Sequence, residues 1–331
     1  MMKILRKANQ GATQVTQGTT PSLLDTAAKQ LFGVTDPVNG GIRGAPKFPQ
    51  AGLLELFWRA GLKTHDKRYH DLVIKTLMQI CSGGIYDHLG GGFARYAVDE
   101  EWLVPHFENM LYDNAQLIVL LSEAFVESGQ DLFRVRIEET IAWLEREITT
   151  EGGGFAASLD ADSEHEEGRF YVWYASDIEK ILSPDDYTLF TQTYDLMPSG
   201  NWEGKTILNW LCSAPYSNPE EEERLTRIRQ ILLKERDKRV RPALDDKILA
   251  DWKGLMIAAR VRASEVLARP EWLFLAECAF HFISESMTGS GRLGHSWRSR
   301  RLSFPGLASY YANAILAALA LYRGTANPNY I

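Results

Sequence analysis

The feature that most constrains the fold of this chain is an alternation between helical periodicity and glycine turns. Apolar residues recur three and four positions apart over most of the sequence, which predicts amphipathic helices. Glycine turns that begin near residues 40, 83, 152 and 291 each follow such a segment and then present aromatic or charged residues. The pattern predicts a mainly α protein built from helical hairpins, arranged either as a solenoid or as a closed α/α toroid.

Helices are predicted after Ser22 and after Pro49, and further along the chain over residues 67–81, 107–128, 131–148, from 219 to the basic residues near 239, 245–268, 271–287 and 307–323. Short strands are predicted over residues 93–98, 155–159 and 170–173, next to the glycine clusters. Residues 1–20 are polar and are expected to form a mobile lead-in. Since no linker rich in Pro, Gly or Ser interrupts the helical part, residues 21–331 are expected to form one domain.

The composition of the chain excludes several classes of function and location. The net charge of −7 argues against a nucleic-acid binder, which is normally basic. No apolar run approaches the length of a membrane span, and the N-terminus lacks the apolar region of a secretory signal. Three cysteines, far apart and without a C-x-x-C pair, fit a reducing compartment. The sequence therefore predicts a cytoplasmic protein that binds neither nucleic acid nor membrane.

Residues 83–117, GGIYDHLGGGFARYAVDEEWLVPHFENMLYDNAQL, contain most of the candidate chemistry. Five glycines within ten residues let the backbone bend where a Cβ would clash. Glycine-rich loops presented by a helical scaffold are typical of binding and catalytic sites. The alternative is a buried, hydrogen-bonded connection between helices. The aromatic and ionisable residues gathered here are Tyr86, Asp87, His88, Arg95, Tyr96, Asp99, Trp102, His106, Glu108 and Asp113.

A helix that begins near residue 107 would place His106 at its N-terminus and Asp113 on the same face as His106, with Glu108 on a different face. Histidine is suited to proton transfer near neutral pH, so His106 is a candidate acid or base. The alternatives are a core histidine that caps the helix, and Asp113 with Asn114 as a buried polar clasp between helices.

An acidic segment, SLDADSEHEEGRFYVW, supplies Asp160 and Asp162 as candidate carboxylates for work on a glycosidic bond. The alternative is a solvated acidic turn between two short strands. Calcium is disfavoured because the EF-hand loop requires glycine at its sixth position, where His165 stands, and glutamate at its twelfth, where Tyr171 stands. Phosphate-loop, dinucleotide, zincin and serine-hydrolase motifs are missing from the sequence, so we predict no metal and no cofactor.

These motifs, together with GAPKFP, GNWEGKTIL and RPALDDKILADWKGLMIAA, resemble the YyaL-type family of bacterial proteins and the spermatogenesis-associated thioredoxin-like proteins of mammals. The resemblance covers residues 20–325 in order. It implies a thioredoxin-like domain followed by an (α/α)6 toroid similar to N-acylglucosamine 2-epimerases and six-hairpin glycosidases. It assigns no established activity.

The chain departs from this family pattern in three ways. It begins just before the toroid, so the thioredoxin-like domain is missing, and at Ile331 it stops where the pattern continues. The resemblance therefore predicts an incomplete toroid of about four hairpins. Ser309 and Tyr310 stand where family members show an acidic pair. The acid/base histidine that epimerases carry in their C-terminal part lies outside this chain.

The leading functional hypothesis is a carbohydrate-active module acting on a small sugar. In an isomerase, His88 or His106 would move a proton next to a carbonyl, and Arg95 would stabilise the developing enolate. The sugar ring would be held by Tyr96, Trp102 and Trp173.

In a hydrolase, Asp160 or Asp162 would pair with Asp87 or Asp113 across the pocket. In either version His106, Asp113, His88, Arg95 and Asp160 are expected to converge on one cavity, because loops after alternate toroid helices open at one end. The rival hypothesis is a non-catalytic binding or interaction module that acts with a thioredoxin-like domain or protein.

Overall fold

The computed structural model describes residues 21–150, 152–212 and 218–331, so the predicted lead-in at residues 1–20 lies outside the described residues. Helices dominate this part of the chain. In chain order they are α1 (Pro21–Phe32), α2 (Ala51–Thr64), α3 (Lys67–Ser82), α4 (Leu111–Ser128), α5 (Asp131–Trp143), α6 (Ala175–Ile181), α7 (Pro184–Thr193), α8 (Pro219–Arg236), α9 (Ala250–Leu267), α10 (Pro270–Ser286) and α11 (Ala308–Thr325). A π-helical turn (Leu144–Ile148) extends α5, and a 3₁₀ turn (Pro328–Tyr330) follows α11.

The strands of the described residues are two or three residues long and antiparallel. They are β1 (Asn109–Met110), β2 (Ser158–Leu159), β3 (Asp162–Ser163), β4 (Glu166–Glu167), β5 (Leu244–Asp245), β6 (Ile248–Leu249), β7 (Thr288–Gly289), β8 (Arg292–Leu293), β9 (Ser296–Arg298) and β10 (Arg301–Ser303). Two small sheets have the orders β1-β2-β5 and β10-β9-β6, and two hairpins are β3-β4 and β7-β8. The predicted mainly α class is confirmed.

Three of the longest helices, α4, α9 and α11, run parallel to one another. At their first turns Tyr112 of α4 contacts Trp252 of α9, with ring centroids 4.8 Å apart. Near their last turns Arg262 of α9 donates to Glu123 of α4 at 2.8 Å. The start of α9 packs on α11 at Gly254, where a Cβ would meet the Asn313 backbone. Helix starts therefore meet helix starts along this row.

Helix α2 packs beside α4, and its first turn lies next to the first turn of α4. The helices α5 and α10 pack on the outside of α4 and α9. The result is an inner row of four neighbouring helices, α2, α4, α9 and α11, with further helices around it. This arrangement is the predicted toroid-type packing of helical hairpins.

The structure corrects the predicted start of the helix at residue 107. Residues 106–108 form a non-helical turn with Phe107 at a φ of 28°, residues 109–110 form β1, and α4 begins only at Leu111. The backbone N–H of His106 donates to Tyr96 O at 2.9 Å, and Asn109 and Met110 pair with Leu159 and Ser158 of β2. Because this segment finds partners far away in sequence, the helical periodicity of residues 107–110 does not produce a helix.

Smaller corrections concern the strands and two helices. The segments predicted as strands at 93–98 and 170–173 form isolated bridges, such as Tyr86 with Phe93 and Trp173 with Thr206. Helices α6 and α7 were not predicted from the sequence. The helix from Pro219 has the predicted polarity, with Asn218 as its cap, acidic residues in the first turn and basic residues in the last.

Candidate active site

The first turns of the inner helices lie at one end of the molecule, and two of them, those of α2 and α4, line an open cavity. This cavity has a volume of about 320 Å³ and lies between the start of α2 and the start of α4. We call it the open cavity. Its lining residues are Phe48, Pro49, Gln50, Ala51, Gly52, Leu53, Tyr112, Asp113 and Gln116.

Asp113, the third residue of α4, is the carboxyl group among the residues that line the open cavity. Its Oδ2 atom is buried and has no hydrogen-bond partner within the described residues. Burial raises the pKa of the Asp113 carboxyl to about 7, and the positive charge of Arg95 and a hydrogen bond with Tyr112 only partly oppose this. Near neutral pH this carboxyl can therefore both donate and accept a proton.

Arg95 and Glu108 lie beside Asp113 and set its charge environment. Arg95 Nη1 and Glu108 Oε2 are 3.1 Å apart, and both side chains are partly exposed. The backbone N–H of Arg95 also donates to Glu108 O at 2.8 Å, so the pair is held by two contacts. Glu108 therefore faces Arg95 and Asp113 rather than the opposite side, because it lies in a non-helical turn before α4 begins at Leu111.

Asn114 ties the glycine-rich loop to the start of α4. Its side chain accepts from the N–H of Phe93 at 2.8 Å and donates to Phe93 O at 3.0 Å and Met110 O at 2.9 Å. Asn114 is completely buried, so all these bonds are protected from water. This part of the predicted polar clasp holds Arg95 and Asp113 in a fixed relation.

A row of stacked aromatic rings extends from the lining of the open cavity to the β3-β4 hairpin. The ring of Phe48 stacks on Tyr96 at 4.6 Å between centroids, and Tyr96 stacks on His106 at 4.8 Å. His106 is one-third exposed, and its Nδ1 lies 2.7 Å from Glu167 Oε1 on the β3-β4 hairpin. Stacked rings with an exposed face are the usual contact surface for a sugar ring's apolar side.

A second carboxyl, Asp251, stands at the first turn of α9 and was missed by the sequence analysis. Burial raises the pKa of Asp251, while the Trp252 N–H and the nearby His295 partly counteract it. The His295 ring lies 5.0 Å from the ring of Tyr310, the third residue of α11. The Tyr112–Trp252 contact links this group to Asp113. The sequence signal that could have found it is the shared order of short strand, helix start and aspartate in α4 and α9.

His88 and Asp87 lie in the interior, away from the open cavity. His88 is 3% exposed; its Nε2 donates to Gly83 O and its Nδ1 accepts from Arg136. Burial and the positive charge of Arg136 hold the pKa of His88 well below its usual value. Asp87 makes two hydrogen bonds to Arg236, at 2.8 and 2.7 Å. Burial disfavours the charged form of Asp87, but Arg236 outweighs it and lowers the pKa of the carboxyl. Both residues are committed to internal contacts.

Trp102 and Trp173, two predicted sugar platforms, are core residues with 0% and 2% of their surface exposed. Trp102 donates its indole N–H to Asn39 O at 2.8 Å. Trp173 is covered by the guanidinium of Arg239, 3.9 Å from the ring centre. Neither ring has a face open to a ligand, so we leave both out of the candidate site.

Asp160 and Asp162 are exposed; Asp162 is the first residue of β3, and Asp160 precedes the β3-β4 hairpin. Asp160 Oδ1 accepts from the backbone N–H of Ala161 at 2.7 Å, which is a local turn contact. Their hairpin touches the site through the His106–Glu167 contact rather than through either aspartate. Among the described residues, no group of three His, Cys, Asp or Glu side chains is placed to hold a metal ion. Nor does that part of the chain contain a helix long and apolar enough to cross a membrane.

No family model matches the chain. It is 32% identical over 303 residues to spermatogenesis-associated protein 20 of Homo sapiens, an alignment that covers 80% of this chain and 38% of the relative. An uncharacterized protein of Caenorhabditis elegans, B0495.5, is 31% identical over 78% of this chain and 40% of its own length. The chain thus spans about two-fifths of the curated relatives it matches.

Two solved structures show the same fold. A family 76 glycoside hydrolase from a bovine Bacteroides thetaiotaomicron strain superposes with a TM-score of 0.51 at 12% identity, over 87% of this chain and 45% of the other. A structure named as UGL with dGlcA-Glc-Rha-Glc gives 0.52 at 10% identity, over 93% and 62%. At these identities the likeness establishes the α/α toroid fold and nothing about activity.

Proposed function

Since this chain is a homologue of spermatogenesis-associated protein 20 and has the toroid fold of glycoside hydrolases, we propose that it is a carbohydrate-active module. The single observation that carries the proposal is the Asp113 carboxyl. It lines the open cavity, its Oδ2 lacks a partner among the described residues, and its pKa is raised to about 7. Perturbed carboxyls of this kind are typical of acid/base sites.

In the proposed mechanism Asp113 gives or takes the proton at a sugar oxygen or at a carbon next to a carbonyl. Arg95 lies beside it and stabilises negative charge that develops on the substrate. The partly exposed rings of Phe48 and His106, which both stack on Tyr96, support the apolar face of the sugar. Asp251, on the next inner helix, supplies a second carboxyl with a raised pKa. A hydrolase needs such a pair, whereas an isomerase needs one proton-transfer group and the arginine.

The test is a thermal-shift screen of mono- and disaccharides, followed by product analysis for any sugar that binds. Binding to the folded state raises the melting temperature by mass action. We expect a concentration-dependent shift with at least one sugar, and its loss or weakening in Gln116→Ala, which alters the cavity wall. Asp113→Asn should retain binding but lose turnover. New reducing ends would indicate hydrolysis, and a stereoisomer of unchanged mass would indicate isomerisation.

The rival function is a non-catalytic interaction module that acts with a thioredoxin-like partner. The observation that favours it is the outer face of α11, where Tyr311, Ile315, Leu316 and Leu319 are exposed. Exposed apolar stripes on one helix are typical of interaction surfaces. A sugar screen without any shift, in a protein that melts cooperatively, would favour this function over the carbohydrate-active one.

We also propose a cytoplasmic setting. In the described part of the chain Cys212 and Cys278 are exposed free thiols and Cys81 is a buried one. Free exposed thiols persist in a reducing compartment. Localisation of a tagged full-length protein by fractionation would test this directly.

A further inference from the structure

A second cavity, of about 130 Å³, lies between the π-helical turn after α5, the C-terminal end of α8 and the strands β2 and β5. On the usual scale one water needs about 10–15 Å³, so this space admits a group of several heavy atoms. We call it the arginine cavity. It shares no lining residue with the open cavity, and its lining residues are Asp87, Trp143, Arg146, Glu147, Leu159, Phe170, Tyr171, Arg236, Arg241, Pro242 and Leu244.

The charges that line the arginine cavity do not cancel. Three guanidinium groups, of Arg146, Arg236 and Arg241, face two carboxylates, of Asp87 and Glu147. Glu147 is shared, since it contacts Arg146 Nε at 2.8 Å and also Arg241.

Two charged groups just outside the lining, one negative and one positive, leave the excess of positive charge unchanged. Asp237 binds Arg241 Nη2 at 2.8 Å and offsets one charge. Arg239 restores the positive charge, because it donates to the carbonyls of Phe170 and Val172, at 2.9 and 2.8 Å, and not to a carboxylate. Burial lowers the pKa of Arg239 to about 10, which leaves it charged at neutral pH. Asp177 and Glu235, which also act on Arg239, are paired with Lys180 and Lys238. Among the remaining groups four arginines stand against three carboxylates, an excess of one positive charge.

Arg236 is the most buried of the three arginines that line the cavity. Its side chain is 3% exposed, and its two terminal nitrogens both bind Asp87. Its third nitrogen, Nε, is buried without a hydrogen-bond partner in the part of the chain that the structure describes. A buried unpaired donor is unfavourable, and a donor on a charged group more so. The structure thus buries this basic residue in the wall of the cavity.

We propose that the arginine cavity binds a small oxyanion, a phosphate or carboxylate group, between Arg146, Arg236 and Arg241. Because Asp87 holds both terminal nitrogens of Arg236, the charge-assisted hydrogen bonds to the anion would come from Arg236 Nε and from the guanidinium groups of Arg146 and Arg241. The rings of Phe170 and Tyr171 form the apolar part of the wall, which suits an anion carried on a small organic molecule. This site is independent of the sugar chemistry proposed at Asp113.

The experiment is calorimetric titration of the protein with inorganic phosphate and, separately, with acetate, at constant ionic strength. Two variants change the cavity charge in opposite directions. Arg241→Gln removes one guanidinium and should weaken binding about tenfold, since one charge-assisted hydrogen bond is worth roughly that factor. Glu147→Gln removes a competing carboxylate and should tighten binding several-fold. Arg59→Gln, at an exposed ion pair on α2, is the matched control and should bind like the unmodified protein.

Opposite effects of Arg241→Gln and Glu147→Gln distinguish an anion site from mere structural damage, which would weaken binding in both. Tighter binding of phosphate than of acetate would identify a phosphate group as the ligand chemistry, and the reverse a carboxylate. The proposal is overturned if the unmodified protein shows no saturable heat with either anion. Equal responses of all three variants would overturn it as well, because they would indicate a general salt effect.

Discussion

Asp113 lines the open cavity and has a raised pKa. The ionised carboxylate that could accept a proton from a substrate is therefore the form that lowers the stability of the folded protein. In the folded state the pKa is raised from 3.8 to about 7. The folded protein therefore holds this proton more tightly than the unfolded chain does. The resulting stabilisation is complete below about pH 4 and is lost as the pH rises through 7.

We predict that Asp113→Asn is more stable than the unmodified protein at pH 8, by up to about 4 kcal/mol, since each pKa unit corresponds to about 1.4 kcal/mol. The difference should shrink towards zero at pH 4, where both side chains are neutral. Urea denaturation at pH 4, 6 and 8 measures it. A variant that is equally stable at every pH would show that Asp113 titrates normally.

Lys253 on α9 makes a second residue-scale prediction. Its side chain is fully buried between Phe155 and Phe282, 4.6 Å from each ring centre, and its amine donates to Gly153 O. Burial, and then the charge of Arg260, hold the pKa of Lys253 well below its usual value. Unfolding between that lowered value and about 10.4 takes up a proton, so this residue lowers stability as the pH falls through the window.

Lys253→Met should remove this pH dependence. Relative to the variant, the unmodified protein is expected to gain stability between pH 7 and pH 10, as measured by denaturant titration at three pH values. Other titrating groups are common to both proteins and cancel in the difference. Parallel pH curves would mean that the amine stays charged in the folded protein.

The candidate site was partly predictable at the residue scale. Residues 83–117 are predicted to be the chemical centre because glycine, aromatic and charged residues are concentrated there. In the structure Asp113 lines the open cavity, and Arg95, Tyr96 and His106 flank it. Trp102 lies in the same segment but in the core, since a sequence does not distinguish a buried ring from an exposed one. Asp251 was missed because an acidic residue in a helix first turn normally reads as a dipole partner.

At the element scale, the long periodic helices were predicted and the junctions between elements were not. The prediction failed over residues 107–110 because strand β1 pairs with Ser158 and Leu159, almost fifty residues away, which overrides local propensity. The same tertiary pairing turns Glu108 towards Arg95. The position of a side chain at the site therefore depends on where α4 begins, and only the long-range pairing decides that.

The glycine-rich loop makes an element-scale prediction. A Cβ added at Gly84 would overlap the carbonyl oxygen of Leu103 and the side chain of Ile207. Gly84→Ala should therefore destabilise the protein by about 2–3 kcal/mol, the usual effect of overpacking. Gly52→Ala, in the first turns of α2, has nothing within 4 Å of the added atom and should be neutral or stabilising by up to about 1 kcal/mol. Thermal melts of both variants test the contrast, and similar losses in the two would contradict it.

At the scale of the whole molecule, the parallel inner helices give the protein two different ends. First turns carry Asp113, Asp251 and Tyr310, whose pKa values are all raised, most of all by burial. Near their last turns an ion-pair network joins the same helices. There Glu265 accepts from Arg323 at 3.1 Å, and Arg262 donates to Glu123. One end carries partly buried groups whose ionised form burial disfavours, and the other pairs its charges.

Two substitutions, both on helix α9, test whether one end of the molecule acts on sugar binding and the other on stability. Arg262→Gln should lower the free energy of unfolding by about 1 kcal/mol or less, because the pairs are partly exposed, and the loss should diminish in high salt. It should leave any sugar-induced thermal shift unchanged. Asp251→Asn should instead preserve or raise stability at pH 8 and reduce sugar binding or turnover. Asp251 lies in the first turn of α9, far along the helix from the ion-pair network, and burial disfavours its charged form. Melting curves with and without the sugar, at low and high salt, measure both. If Arg262→Gln altered the sugar response as strongly as Asp251→Asn, the two ends would be energetically coupled, and the first turns alone would not define the site.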